Sequence, residues 1–387
     1  MKSVAPCPLS LLATFAILGG CSAAATSSDV RSDGGAAGAA QAGAGVVMGG
    51  ANNGGAGNVA GGPSGSAGSP IGAAGMLSTA GASMGGSGGK GGVTAGAPGV
   101  GGAIGSGGSG DAGSPGGIAG APPQTWTEHW FEHNQTLKLV DSNAWVVLYF
   151  DDDVDRSKTA WILPFMTKVW KYTVAHYGQY TDGQRDGRLF AIYHQGKYSG
   201  GHPSTYFDAS HDYRNVSDVG PGPFPDGDFD ISSHEVSHIV EGASRGVHNS
   251  PAFGIWHDSK WAEFYQFDLY TGLGMTTDAN RVFDKFTNTV DDFPQAGTHW
   301  FRDWFYPLWK DHGGVQVMVN YYQLLKDRFP KNGTAFSRDL NFGEFVHFMS
   351  GAAGTNLKAQ ATTAFGWPAA REAELTKAQK DFPNIGY

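Results

Sequence analysis

Cysteine is almost absent from this 387-residue chain, and both copies, Cys7 and Cys21, fall within its first 21 residues. Everything beyond them lacks disulfides, thiolate ligands and a thiol nucleophile, so its stability must come from a core or from bound metal. Aromatic side chains are missing from residues 1–122 apart from Phe15, yet that stretch holds 37 of the 60 glycines. It cannot bury enough apolar surface to offset the entropy of ordering it. Net charge is missing there too. Lys2, Arg31 and Lys90 balance Asp29, Asp33 and Asp111, so the formal charge of −9 belongs to the remainder. A surplus of acid argues against nucleic acid as a partner, because phosphate binding needs a basic patch. What remains, residues 123–387, carries all 13 histidines and all 11 tryptophans. It is long enough for one large domain or two closely packed lobes.

The first 20 residues read as a signal peptide, with Lys2 as a short basic region. The apolar run over 9–18 is too short to span a bilayer permanently. It ends in Leu18-Gly19-Gly20-Cys21, which resembles the lipobox of bacterial lipoproteins. The resemblance implies a mature chain beginning at a diacylated Cys21, anchored in a membrane by its lipid. Ser22 at the next position implies export to the outer membrane or cell surface. Residues 21–122 then form a Gly/Ala/Ser-rich tether with an r.m.s. reach of roughly 50–60 Å. A Gly-x-Ser-x-Gly match at 85–89 sits in this low-complexity sequence with no strand or helix to frame it, and carries no weight.

In the remainder, the apolar, β-prone run 145–150 predicts a buried strand, 188–194 a second, and 204–208 and 213–219 shorter ones. Large apolar residues at 161, 165, 169, 172 and 173 predict a helix over 159–177, with Pro164 in its first turn. Prolines at 221, 223 and 225 break the chain before a helix over 229–242. Beyond it the pattern is mostly helical, over 260–271, 279–289, 299–311, 314–328, 341–350 and 369–381. Strands first and helices afterwards suggest an α+β protein, with a sheet lobe over 123–242 and a helical lobe over 243–387.

The 229–242 helix carries His234-Glu235-Val236-Ser237-His238. Residues four apart share a helix face, so His234 and His238 can present two imidazoles to one Zn2+. Glu235, displaced around the helix, is placed to act as general base toward a water that the metal acidifies. Ile231, Val236, Ile239 and Val240 make the rest of the helix apolar, as burial requires. Asp230 or Ser232 can cap its start, and Gly242 offers a stop. A catalytic zinc needs a third protein ligand and an open position. The metzincin pattern is excluded, because Glu241 and Ser244 occupy the positions of its glycine and third histidine. His248, His257, Asp258 and Glu263 remain as candidates.

Glu263 lies in Ser259-Lys260-Trp261-Ala262-Glu263-Phe264-Tyr265, 25 residues beyond His238. This arrangement resembles the gluzincins, zincin metallopeptidases whose third ligand is a glutamate on a second helix. The tryptophan before Glu263 and the aromatics after it are similar to those of enhancin-like, glycoprotein-directed peptidases. The likeness covers about 190–290. It implies a zincin-like α+β fold, Zn2+ on His234, His238 and Glu263, and hydrolysis of peptide bonds in extracellular proteins or glycoproteins. A donor is also needed for the oxyanion, and His299 and His347 are preferred over Tyr265, Tyr306, Tyr321 and Tyr322. The chain is expected to act as a monomer.

Other signals are weaker. Asp151, Asp153 and Asp155 match the opening of an EF-hand loop, but Arg156 and Ile162 stand where that loop needs glycine and glutamate, so a solvated acidic turn is favoured. Trp300, Trp304, Trp309 and Trp367 could line a sugar cleft, though their helical spacing favours core. Two other classes of function stay open: a zincin-fold surface module that binds without turnover, and a structural envelope lipoprotein with His248 or His257 closing the metal site.

Overall fold

A computed structural model of the chain describes residues 114–387. The expected signal peptide, the lipobox, Cys21 and most of the tether lie outside the described residues. Folded structure begins upstream of residue 123. Pro115 is buried, Gly187 N donates to Gly116 O at 3.3 Å, and the Arg188 guanidinium donates to Gly120 O at 2.7 Å.

Six strands form one mixed sheet in the order β1-β2-β3-β4-β6-β5. They are β1 (Thr125–Thr127), β2 (Thr136–Ser142), β3 (Val146–Phe150), β4 (Leu189–Tyr193), β5 (Gly200–Ser204) and β6 (Asn215–Gly220). The centre, β3-β4-β6, is parallel; β1, β2 and β5 run antiparallel to their neighbours. Val146-Val147-Leu148-Tyr149-Phe150 and Leu189-Phe190-Ala191-Ile192-Tyr193 are buried at every position, as strands covered on both faces must be. Alternation divides them between two cores. Val146, Leu148, Phe150, Leu189, Ala191 and Tyr193 face the large core with α1 (Ile162–Tyr177). Val147, Tyr149, Phe190, Ile192 and Val216 face a smaller one, closed by Trp126, Trp130 and Leu137.

The expected strand at 204–208 is displaced. Its place is taken by β5, Gly-Gly-His-Pro-Ser, which pairs with β6 in the register His202↔Asp218. Residues 205–208 instead form a turn, in which the Asp208 carboxylate accepts from Thr205 N and Thr205 Oγ1 at 2.8 Å. Glycine and proline hide β5 from any propensity argument, and an edge position is where a strand tolerates proline.

The chain then turns helical: α2 (Asp230–Ala243), α3 (Phe253–Gly272), α4 (Thr276–Asn288), α5 (Tyr306–Asp311), α6 (Gln316–Arg328), α7 (Phe342–Ala353), α8 (Lys358–Phe365) and α9 (Ala369–Asp381). A small hairpin, β7 (Lys331–Asn332) and β8 (Ala335–Phe336), interrupts them. The chain is thus mixed α/β, with its mixed sheet in the N-terminal part and helices in the C-terminal part. The large core runs from Trp145 to Ile385, so the sheet and the helices share one interior. Trp300 and Trp304 are fully buried in it, in agreement with their reading as core.

Between α1 and α3 the core encloses a carboxyl group, Asp268, which accepts from Tyr172 Oη and Trp309 Nε1, each at 2.8 Å. Burial outweighs both hydrogen bonds and pushes its pKa up to about 6. A carboxyl raised in the folded state contributes stability below its unfolded value that is lost as pH rises through the folded one. The loss is about 3 kcal/mol over the whole interval, roughly half of it between pH 5 and 8. Asp268→Asn is therefore expected to gain on the parent between those pH values in urea denaturation. A parent–variant difference that is flat with pH contradicts this.

Candidate metal centre

Helix α2 presents His234 and His238 to one point, with their Nε2 atoms 3.2 Å apart. Neither Asp230 nor Ser232 caps the helix; Phe229 holds that position without a side-chain bond. Asp230 instead accepts from Tyr270 Oη at 2.9 Å and pairs with Arg281 at 2.7 Å.

Asp258 supplies the carboxylate that meets the two imidazoles. Its oxygens lie 3.3 Å from His238 Nε2 and 3.8 Å from His234 Nε2. The ligand atoms of His234, His238 and Asp258 all fall within 4.8 Å of one another, so this group could hold a metal ion. Glu263, the ligand expected from the gluzincin resemblance, falls outside it. One residue before Asp258, α3 breaks, where His257 adopts φ 53° and ψ −162°. Only glycine takes that conformation readily, and such strain gathers at functional sites. Phe293 stacks on the His257 ring with centroids 4.0 Å apart. Glu263 is buried, its nearest cation Lys260 at 3.9 Å. Its Oε2 lacks a hydrogen-bond partner, and burial pushes its pKa up to about 8.

Outer groups orient the ligands. His238 Nδ1 lies 3.2 Å from Glu241 Oε2, which leaves Nε2 to face His234 and Asp258. Glu241 accepts in turn from Ser250 Oγ at 2.5 Å and from Trp256 Nε1. A ligating histidine commonly has such a carboxylate behind it, which fixes its tautomer. Two ring nitrogens so close cannot both be protonated. Burial holds His234 down to about 4, whereas for His238 the hydrogen bonds to Asp258 and Glu241 overcome burial and raise it to about 10.

Glu235 is buried, and desolvation pushes its pKa up to about 8. Its Oε2 has no hydrogen-bond partner. The edge strand β5 runs across it so closely that a Cβ on Gly201 would lie 2.6 Å from its Cγ and Oε1. Gly201→Ala is therefore expected to destabilise the fold by about 1–3 kcal/mol through overpacking, read as a lower Tm. An unchanged Tm contradicts the close approach.

His347 commits both ring nitrogens to the C-terminal segment, Nδ1 to Tyr387 Oη at 3.0 Å and Nε2 to Phe382 O at 3.1 Å, so it holds that segment onto α7. His299 is half-buried, with Nδ1 unpartnered, just before a π-helical turn, Trp300–Phe305, a type of turn frequent at functional sites. His248 pairs with Asp208 at 3.4 Å. The Asp151–Asp155 run is a turn, not an ion loop: Asp153 accepts from Gly196 N at 2.8 Å, and Asp155 from Ser157 N at 3.0 Å.

A second group, Glu128, His133, His194 and Asp218, is buried throughout and could also hold a metal ion. No local spacing links the four: Glu128 and His133 lie between β1 and β2, His194 just after β4 and Asp218 within β6.

No family model and no curated protein matches the chain. Among solved structures it is similar to a functionally unknown conserved protein from Bacillus anthracis str. Ames and to a mutant of that protein, at 13% identity and a TM-score of 0.38. The alignments cover 60% and 61% of this chain. The chain spans about half the length of each, 50%.

Proposed function

We propose that this chain is a zinc-dependent metallopeptidase of zincin type, with Zn2+ on His234, His238 and Asp258 and Glu235 as general base. The observation that carries this reading is the convergence of three ligand atoms from α2 and α3 beside a buried carboxylate with an unpartnered oxygen. Two imidazoles and one carboxylate suit zinc and leave a coordination position open. Zinc there supplies Lewis acidity, polarising a carbonyl and lowering the pKa of a water. Glu235, raised toward neutrality by burial, takes the proton at its carboxylate and returns it to the leaving amine. His299 is the donor proposed for the oxyanion.

A peptide substrate is favoured by β5. Among the described residues it pairs only with β6, and so offers a strand edge beside Glu235. An extended peptide can add to such an edge through main-chain hydrogen bonds. The substrates are extracellular proteins or glycoproteins, met by a monomer tethered through Cys21 to the outer membrane or cell surface. Among the described residues no helix is long and apolar enough to cross a membrane. Incubating the full chain with zinc and either casein or mucin tests the reading. New amino termini that vanish with a chelator and return with zinc are expected, and a zinc-loaded chain that cleaves neither contradicts it.

A further inference from the structure

We propose that Glu128, His133, His194 and Asp218 form a second site, for a structural divalent cation of the zinc class. The site lies at the ends of β4 and β6. Alternation puts His194 on the side of Phe190 and Ile192, and Asp218 on the side of Val216, the face turned away from α2. Glu128 and His133 come from the connection between β1 and β2, folded over that face.

The distances are those of donors gathered around a common point. His194 Nε2 lies 2.9 Å from Glu128 Oε1 and 3.2 Å from Asp218 Oδ1. His133 Nδ1 lies 3.0 Å from Asp218 Oδ2 and 3.5 Å from Glu128 Oε1. Yet His133 Nδ1 and Asp218 Oδ1 have no hydrogen-bond partner, although their residues are only 6% and 1% exposed. His194 Nε2 and Glu128 Oε1 do share a hydrogen bond, but the two unpartnered atoms, buried and this close to the other donors, are aimed at something between them. Unpaired buried polar atoms are costly, and native structures rarely leave them so.

Two further observations point to a cation. His194 Nδ1 is held by Asp151 Oδ2 at 3.2 Å, and Lys197 backs Asp151 at 3.2 Å. That fixes the tautomer leaving Nε2 free to ligate, the carboxylate–histidine pairing usual behind metal ligands. Finally, Trp130 Nε1 donates to Asp218 Oδ2 at 3.2 Å and Tyr198 stacks flat on His133 with centroids 3.3 Å apart, sealing the cluster.

Two imidazole donors of four select a zinc-class ion over calcium or magnesium, which take oxygen ligands. Four protein donors in a buried pocket make a closed, structural site without an open position. Asp218 is also the register partner of His202, whose Nε2 lies 3.5 Å from it. Through that pair the cation braces β5, the strand that crosses Glu235.

The test is zinc stoichiometry of the full chain by elemental analysis, after equilibration with Zn2+ and gel filtration. The parent is expected to bind about two equivalents, and His234→Ala/His238→Ala about one. Adding His194→Ala to that pair should remove the last equivalent, as should adding Glu128→Gln, with folding checked by circular dichroism. One equivalent in both parent and double variant would leave this site standing and count against the α2–α3 site. No zinc in the double variant, which keeps every residue of the second site, overturns the proposal. So does zinc retained by a folded Glu128→Gln or His194→Ala triple variant.

Discussion

Glu235→Gln is expected to leave zinc binding unchanged while lowering peptide hydrolysis about 10²–10⁴-fold, the usual contribution of a positioned general base. The amide matches the carboxyl in shape, so it fits beneath Gly201, where even one added carbon would collide. It cannot accept a proton. Glu235 is not among the ligand atoms grouped at the centre, so the ion has no reason to leave. The measurement pairs zinc content with the rate of appearance of new amino termini. Equal loss of zinc and activity would make Glu235 a ligand or a structural support. Unchanged activity would remove it from the chemistry altogether.

The second large effect separates two carboxylates. Asp258→Ala is expected to weaken zinc binding at the α2–α3 site by two or more orders of magnitude, because a three-ligand site loses its only anionic donor. Glu263→Gln is expected to retain zinc there and to fold. Burial already holds the Glu263 carboxyl up to about 8, so its neutral form is substantially present at pH 7, and glutamine reproduces that form closely. Competition against a chromophoric chelator, in the Glu128→Gln background to silence the other site, reads both affinities. The reverse result, zinc lost in Glu263→Gln and kept in Asp258→Ala, would restore the gluzincin ligand set.

Much of the centre was legible in the sequence, for a physical reason. His234, Glu235 and His238 are fixed by helical periodicity, and the apolar residues between them predict a buried helix that α2 matches closely. The central strands were equally plain, because fully buried strands must be continuously apolar. The third carboxylate was harder. A uniform helix over 260–271 draws attention to Glu263, whereas α3 begins at Phe253 and breaks at His257. Nothing in a histidine announces a positive φ, so the break just before Asp258 could not be read from local pattern.

The strands β1, β2 and β5 escaped the sequence reading. β1 has three residues, β2 buries only Leu137 fully, and β5 is rich in glycine and proline and held in register by β6. The second cluster was invisible because its donors are spread from residue 128 to residue 218, and no local spacing links them. A faint signal existed. His194 follows a fully apolar strand, and Asp218 lies between Val216 and Val219 in another buried strand. Of the two oxyanion candidates, His347 is spoken for by Phe382 and Tyr387. That leaves His299, whose partnerless Nδ1 could not be foreseen from composition.

Anomalous scattering at the zinc edge from crystals of the zinc-loaded full chain decides whether His234, His238 and Asp258 hold the ion. A zinc peak bounded by His234 Nε2, His238 Nε2 and an Asp258 oxygen is expected, with Glu235 beside it and outside the coordination sphere. A peak bounded by Glu263 in place of Asp258, or no peak between the two histidines, would contradict it.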